Sequence, residues 1–163
     1  LALGQSAEGL ALAVSGSDDS TRIFVGGYLN IGSEDNTLIV AFKGGTAGPG
    51  TLDTAFDTDG WREVDIGSTN NDRIHSLALH GVHVVASGAY GIGVAFGRAF
   101  HLKVDAAGVI DTTFGIDGTG QVSYGEGLGF VANAAVVNAN TLWVGGTKAD
   151  NGLDLVVYGV MLE

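Results

Sequence analysis

An internal repeat constrains the fold of this chain more than any other feature of its sequence. The segment GTLDTAFDTDGWREVDIG at 50–67 returns as GVIDTTFGIDGTGQVSYG at 108–125, so Leu52 and Ile110 are equivalent positions 58 residues apart. A fixed period of this size is typical of an array of similar supersecondary units. The sequence therefore predicts stacked units and argues against one irregular domain.

The units are predicted to be built from short β-strands. Among 163 residues there are 28 Gly, only 1 Pro and 45% hydrophobic residues, a mixture that is too apolar for disorder and too rich in glycine for long helices. Apolar segments bounded by turn residues recur along the chain. The predicted strands are 9–16, 22–29, 37–43, 61–67, 74–81, 83–90, 99–105, 120–125, 130–137, 141–148 and 153–160, with 1–4 as the tail of a twelfth.

These segments group into a single repeat array over residues 1–163, with three four-stranded units at about 1–60, 61–118 and 119–163. Gly27, Gly88 and Gly146 align across the units and predict that another backbone or sheet approaches closely at each of them. The runs around these glycines are apolar on both faces, which is typical of strands buried between neighbours. Trp143 lies in such a run and is predicted to be in the core.

The repeat resembles the delta-60 repeat family, whose units carry a G-x-x-D-x-x-F-G-x-D-G signature and an apolar strand that ends in a V-x-G-like step. The first copy departs from the signature at Asp57, where the family has glycine. The resemblance implies β-propeller-like blades and a place in large bacterial secreted or surface proteins, and it implies no defined activity. The matching residues are Gly50, Asp53, Phe56, Asp59 and Gly60, and then Gly108, Asp111, Phe114, Gly115, Asp117 and Gly118.

Three blades raise the question of closure, because propellers typically need about 4–8 four-stranded blades. We therefore expect that the chain is a fragment, that two copies complete a six-bladed ring, or that copies dock head to tail in a filament. The alternative fold is a closed pseudo-threefold β-prism or β-trefoil. Many domains of those two kinds are lectins.

Composition narrows the range of partners. The chain has 18 acidic and 7 basic residues and a net charge of −11, so a nucleic-acid footprint is missing and an anionic membrane surface would repel it. No apolar run approaches the roughly 20 residues of a membrane span. With no cysteine, disulfides and thiolate metal sites are excluded. The chain begins at Leu1 without Met, and we expect that a signal peptide preceded it.

Aspartates in the repeated loop are the candidate metal ligands. Carboxylates at alternate positions of an oxygen-rich loop can converge on Ca²⁺. The other interpretation is that these side chains bond to their own backbone and build tight turns, and recurrence in each unit favours it. We therefore expect no cofactor, and calcium is the alternative. The candidates are Asp53, Asp57, Asp59, Asp111 and Asp117.

Two further groups of residues could carry chemistry. A hairpin turn at Gly81-Val82 would place His80 opposite His83, where two imidazoles could join a third metal ligand; a solvated hairpin tip is the favoured interpretation. No G-x-S-x-G nucleophile motif occurs, and Ser87 lies in the packing run VASGAYG. We predict no catalytic residue.

The sequence predicts a non-enzymatic module with a structural or binding role, and the resemblance to the delta-60 family implies that it is extracellular or at the cell surface of a bacterium. We expect it to self-associate into a ring or a larger assembly, with a glycan or a surface protein as a further partner. The alternatives are a glycan-binding, lectin-like domain and a hydrolase on a propeller scaffold.

Overall fold

The computed structural model describes residues 5–46, 48–66, 71–92, 97–115, 120–124, 129–149 and 154–162. Within these ranges the chain forms eleven β-strands and one 3-10 helix at Asp18–Ser20, and it forms no α-helix. The described residues accordingly include no long apolar helix that could cross a bilayer.

The strands form three antiparallel sheets, and none of the three closes into a barrel. Sheet 1 has the order β1 (Ala7–Ser15), β2 (Arg22–Ile31), β3 (Glu34–Lys43), β4 (Trp61–Val64). Sheet 2 has the order β5 (Asn71–His80), β6 (His83–Ile92), β7 (Arg98–Val104), β8 (Gln121–Tyr124). Sheet 3 has the order β9 (Gly129–Asn138), β10 (Thr141–Ala149), β11 (Asp154–Met161).

The all-β class and the antiparallel sheets are confirmed, and each predicted strand from 9–16 onward is present. The number of strands per sheet is corrected, because the described part of sheet 3 has three strands where four were predicted. The reason is that Gln121–Tyr124 pairs with β7 and completes sheet 2, just as Trp61–Val64 pairs with β3 and completes sheet 1. Each sheet thus begins one strand later than the predicted unit. The predicted strand tail at 1–4 lies outside the described residues.

Sheet 2 lies between sheets 1 and 3 and uses a different face for each neighbour. In β6, Val84 and Ala86 belong to the core shared with sheet 1, whereas Val85 belongs to the core shared with sheet 3. This division follows from the alternation of side chains across a strand. Phe56 is fully buried in the first core and Phe114 is buried in the second, so each repeated loop contributes one ring between adjacent sheets.

The aligned glycines sit beside an irregularity that all three sheets share. In the first pair of strands of each sheet the register skips one residue: Leu10, His75 or Asn133. A Cβ added at Gly27, Gly88 or Gly146 would overlap the carbonyl oxygen of Glu8, Arg73 or Val131, respectively. The predicted close approach is therefore confirmed, and the bulged backbone of the neighbouring strand is what makes it.

Candidate functional site

Asp53 organises the turn that precedes β4. Its Oδ1 accepts a hydrogen bond from the amide of Ala55 at 3.2 Å, and its carbonyl oxygen accepts one from the amide of Phe56 at 2.9 Å. Its Oδ2 lies 2.6 Å from Nε of Arg22, the first residue of β2. The two carboxylate oxygens thus contact a turn amide and a guanidinium, as expected of an aspartate that builds a turn.

Asp111 repeats this arrangement one sheet further along. Its Oδ1 accepts from the amide of Thr113 at 3.1 Å, and its carbonyl oxygen accepts from the amide of Phe114 at 3.0 Å. Its Oδ2 lies 2.9 Å from Nζ of Lys103 and 3.6 Å from Nε2 of His83. The hydroxyl hydrogen bond from Thr113, followed by the hydrogen bond from Lys103, lowers the pKa of Asp111 to about 2.

The other candidate aspartates point to separate partners. The Asp57 carboxylate contacts Nη1 of Arg62 at 3.1 Å, and Asp57 itself has a φ of 46°, in the left-handed region where the equivalent Gly115 of the second copy has a φ of 93°. Oδ1 of Asp59 accepts from the amide of Trp61 at 3.2 Å. Asp117 lies outside the described residues.

The four described aspartates therefore bind different partners. Among the residues that the structure describes, no three His, Cys, Asp or Glu side chains come together in a way that could hold a metal ion. A cation at Asp53 or Asp111 would have to compete with Arg22 or Lys103, which already neutralise these carboxylates. The calcium site stays a prediction, and the turn hydrogen bonds are what the geometry shows.

The histidine hairpin forms as predicted, with His80 paired to His83 across the Gly81-Val82 turn. The two imidazoles nevertheless have different partners. Nε2 of His80 is 3.3 Å from Oδ1 of Asn140 in the turn between β9 and β10, whereas His83 contacts Asp111. These contacts join the hairpin to sheet 3 through Asn140 and to the repeated loop through Asp111.

A buried polar group that the sequence analysis missed lies between sheets 2 and 3. Ser87 Oγ is 2.9 Å from Nδ1 of His101, and Nε2 of the same ring is 2.9 Å from the hydroxyl of Tyr158. Ser87 and His101 have no exposed surface, and burial lowers the pKa of His101 to about 3. This serine–histidine pair cannot meet a substrate in this arrangement, but it does bond sheet 2 to sheet 3. Its signal in the sequence was a polar residue in the middle of each of two largely apolar runs, Ser87 in VVASGAY and His101 in AFHLKV.

The outer face of sheet 1, the face turned away from sheet 2, is exposed at β1, whereas a third small core around Leu29, Leu38 and Val40 lies on the rest of it. Ala11 and Ala13 of β1 pack toward sheet 2, so Leu12 and Val14 point outward, with 62% and 51% of their surface exposed. Further apolar side chains continue this surface, which we call face A. They are Val25 and Phe42, which are partly exposed and which line a groove beside β1 together with Gly27 and the buried Leu38 and Val40.

Sheet 3 has a second apolar outer face, which we call face B. Trp143 is 47% exposed there, between Val136 at 61% and Val157 at 66%. The prediction that Trp143 is a core residue is therefore wrong for the described structure. The apolar run indicated burial on both faces, but only the face of β10 that carries Leu142 and Val144 meets sheet 2.

No protein-family model and no curated protein matches this chain. The geometry defines an all-β protein made of stacked antiparallel sheets. Its resemblance to the delta-60 repeat family stays a prediction from the sequence.

Proposed function

We propose that this chain is a non-enzymatic, extracellular structural module of bacteria whose sheets act as propeller-like blades and whose copies self-associate. The module works by presenting a rigid β-surface on which a further layer of the same kind can pack. The extracellular and bacterial parts of the proposal rest on the resemblance of the repeat to the delta-60 family.

The stacking of the sheets supports blades over the prism alternative. In a prism the sheets would turn one face each toward a single common core, whereas here sheet 2 buries Val84 on one side and Val85 on the other. Successive layers with a core between each pair are the arrangement that a propeller repeats around its axis.

The observation that carries the proposal is the pair of apolar faces A and B at the two ends of the stack. Contiguous exposed apolar surface on a soluble protein marks an interaction site. Face B is lined by Ala134, Ala135, Val136, Trp143, Gly145 and Val157. A sugar needs polar partners beside an aromatic ring, and this lining has none, so it favours packing against another protein surface over glycan binding.

The test is the molar mass of the purified 163-residue protein, measured by size-exclusion chromatography with multi-angle light scattering across a range of concentrations. We expect a dimer or a larger species. A monomer that stays soluble at every concentration would contradict self-association. A glycan array, with and without calcium, tests the lectin alternative in the same preparation.

A further inference from the structure

The three sheets can be compared position by position, because each has the same skipped residue beside the same glycine. With Gly27, Gly88 and Gly146 as equivalent anchors, the residue before each anchor is Gly26, Ser87 or Gly145. These three positions lie on the side of their sheets that faces forward along the stack, from sheet 1 toward sheet 3.

The internal interface between sheets 1 and 2 shows what the forward glycine accommodates. A Cβ added at Gly26 would lie 2.9 Å from Cγ of Leu77 and 2.8 Å from Cγ2 of Ile74. Both side chains belong to β5, the first strand of sheet 2, and both are part of the core shared with sheet 1. Leu77 of sheet 2 therefore occupies the depression that the missing side chain of Gly26 leaves in the surface of sheet 1.

Both halves of this contact recur, without partners in the described structure, at the ends of the stack. Gly145 has the place of Gly26 on face B, and a Cβ added there would meet nothing within 4 Å. Leu12 has the place of Leu77 on face A, because Leu12 pairs with Val25 as Leu77 pairs with Ala86, two residues before the anchor glycine in each case.

We propose that face B of one copy packs on face A of a second copy, with Leu12 of the second copy in the depression at Gly145 of the first. The pairing rests on the proposed function and names its contact surfaces. It repeats between copies the contact of Leu77 with Gly26 that joins sheets 1 and 2, so the partner is another copy of this chain. Such a heterologous contact produces a ring if the rotation closes and a filament if it does not.

Cysteine cross-linking tests the contact directly, since the chain has no cysteine of its own. Leu12→Cys and Gly145→Cys proteins are mixed and oxidised with diamide, and a covalent dimer is expected only in the mixture. The matched control pairs Gly145→Cys with Val82→Cys, which places the thiol on the hairpin tip of sheet 2, where Val82 is 68% exposed. A dimer at equal yield in the control would show random collision and overturn the pairing.

A second experiment does not depend on disulfide geometry. Leu12→Asp blocks face A and Trp143→Asp blocks face B, and both residues are exposed, so neither change disturbs a core. Head-to-tail packing predicts that each variant alone has its dissociation constant raised at least about tenfold, and that an equimolar mixture forms a dimer but nothing longer.

Like-with-like packing gives the opposite pattern, in which Trp143→Asp protein associates by itself through face A. That result, in a wild-type protein that does assemble, overturns the head-to-tail pairing and leaves the proposed function standing. A wild-type protein that is monomeric and gives no cross-link overturns both.

Discussion

We expect the buried imidazole of His101 to make the folded protein less stable in mild acid. Its pKa is lowered from 6.5 to about 3 by burial, so the folded protein holds this ring neutral while the unfolded chain protonates it. Between these two values the unfolded state binds one more proton, and stability therefore falls as the pH falls from 6.5 toward 3. The loss is about 1.4 kcal/mol per pH unit within that window.

The measurement is the free energy of unfolding by urea at a series of pH values from about 7 to about 4.5, above the ordinary range of aspartate. The measurements use the Trp143→Asp background, which the proposed head-to-tail packing predicts to be monomeric, so that stability does not depend on concentration. We expect the His101 contribution to cost about 2 to 3 kcal/mol over this range, a large share of the roughly 5–15 kcal/mol that stabilises a typical domain.

A His101→Gln variant keeps polar atoms near Ser87 and Tyr158 but removes the titration. Its stability should start lower and then decline less steeply with acid than that of the parent. His80→Gln controls for the loss of any histidine, since it removes a ring at the hairpin tip. Parallel curves for the parent and His101→Gln would refute the assignment of acid sensitivity to the interface between sheets 2 and 3.

Three further predictions follow from the packing and the turns, each measured as a free energy of unfolding in the same background. Gly146→Ala should destabilise the protein by about 3 kcal/mol or more, because the added Cβ would overlap a backbone carbonyl. Gly145→Ala is the control, since its Cβ would enter open space, and it should change the stability by no more than about 0.5 kcal/mol. Equal effects of the two substitutions would contradict the bulge argument. Phe56→Ala should cost about 3–5 kcal/mol, since the ring is fully buried between sheets 1 and 2, and a loss under 1 kcal/mol would show that the two sheets do not share a core there. Asp53→Asn should lower the free energy of unfolding less than Asp53→Ala does, because the amide oxygen can still accept the turn hydrogen bond. Millimolar calcium should not raise the melting temperature of the parent. A calcium-dependent rise that Asp53→Asn abolishes would favour the ligand role.

The sequence was sufficient for the local elements because their determinants are local. Alternating and apolar runs bounded by glycine predict strands. An aspartate before a short turn is expected to bond to the nearby backbone, independently of how the strands pair. The His80–His83 register likewise follows from the two-residue turn between them.

Membership in a sheet was harder to predict, since it depends on which strand edges meet. Trp61–Val64 looks the same to a periodicity argument whether it begins one unit or ends another, and only its pairing with β3 decides. The polar group around His101 was missed for a related reason, because Tyr158 lies 57 residues away in sequence and on another sheet.

What the sequence determined by itself is an all-β repeat with its strands, its turns and the glycines beside each bulge, since these depend on residues within a few positions of one another. What only the tertiary structure decided is the use of each face. A run such as TLWVGG is apolar on both sides, but whether Trp143 is buried depends on the layer that lies against it. In the described structure sheet 2 packs against another sheet on both of its faces, whereas sheets 1 and 3 each do so on one face only. The apolar faces at the two ends of the stack are where we propose that the next copy packs.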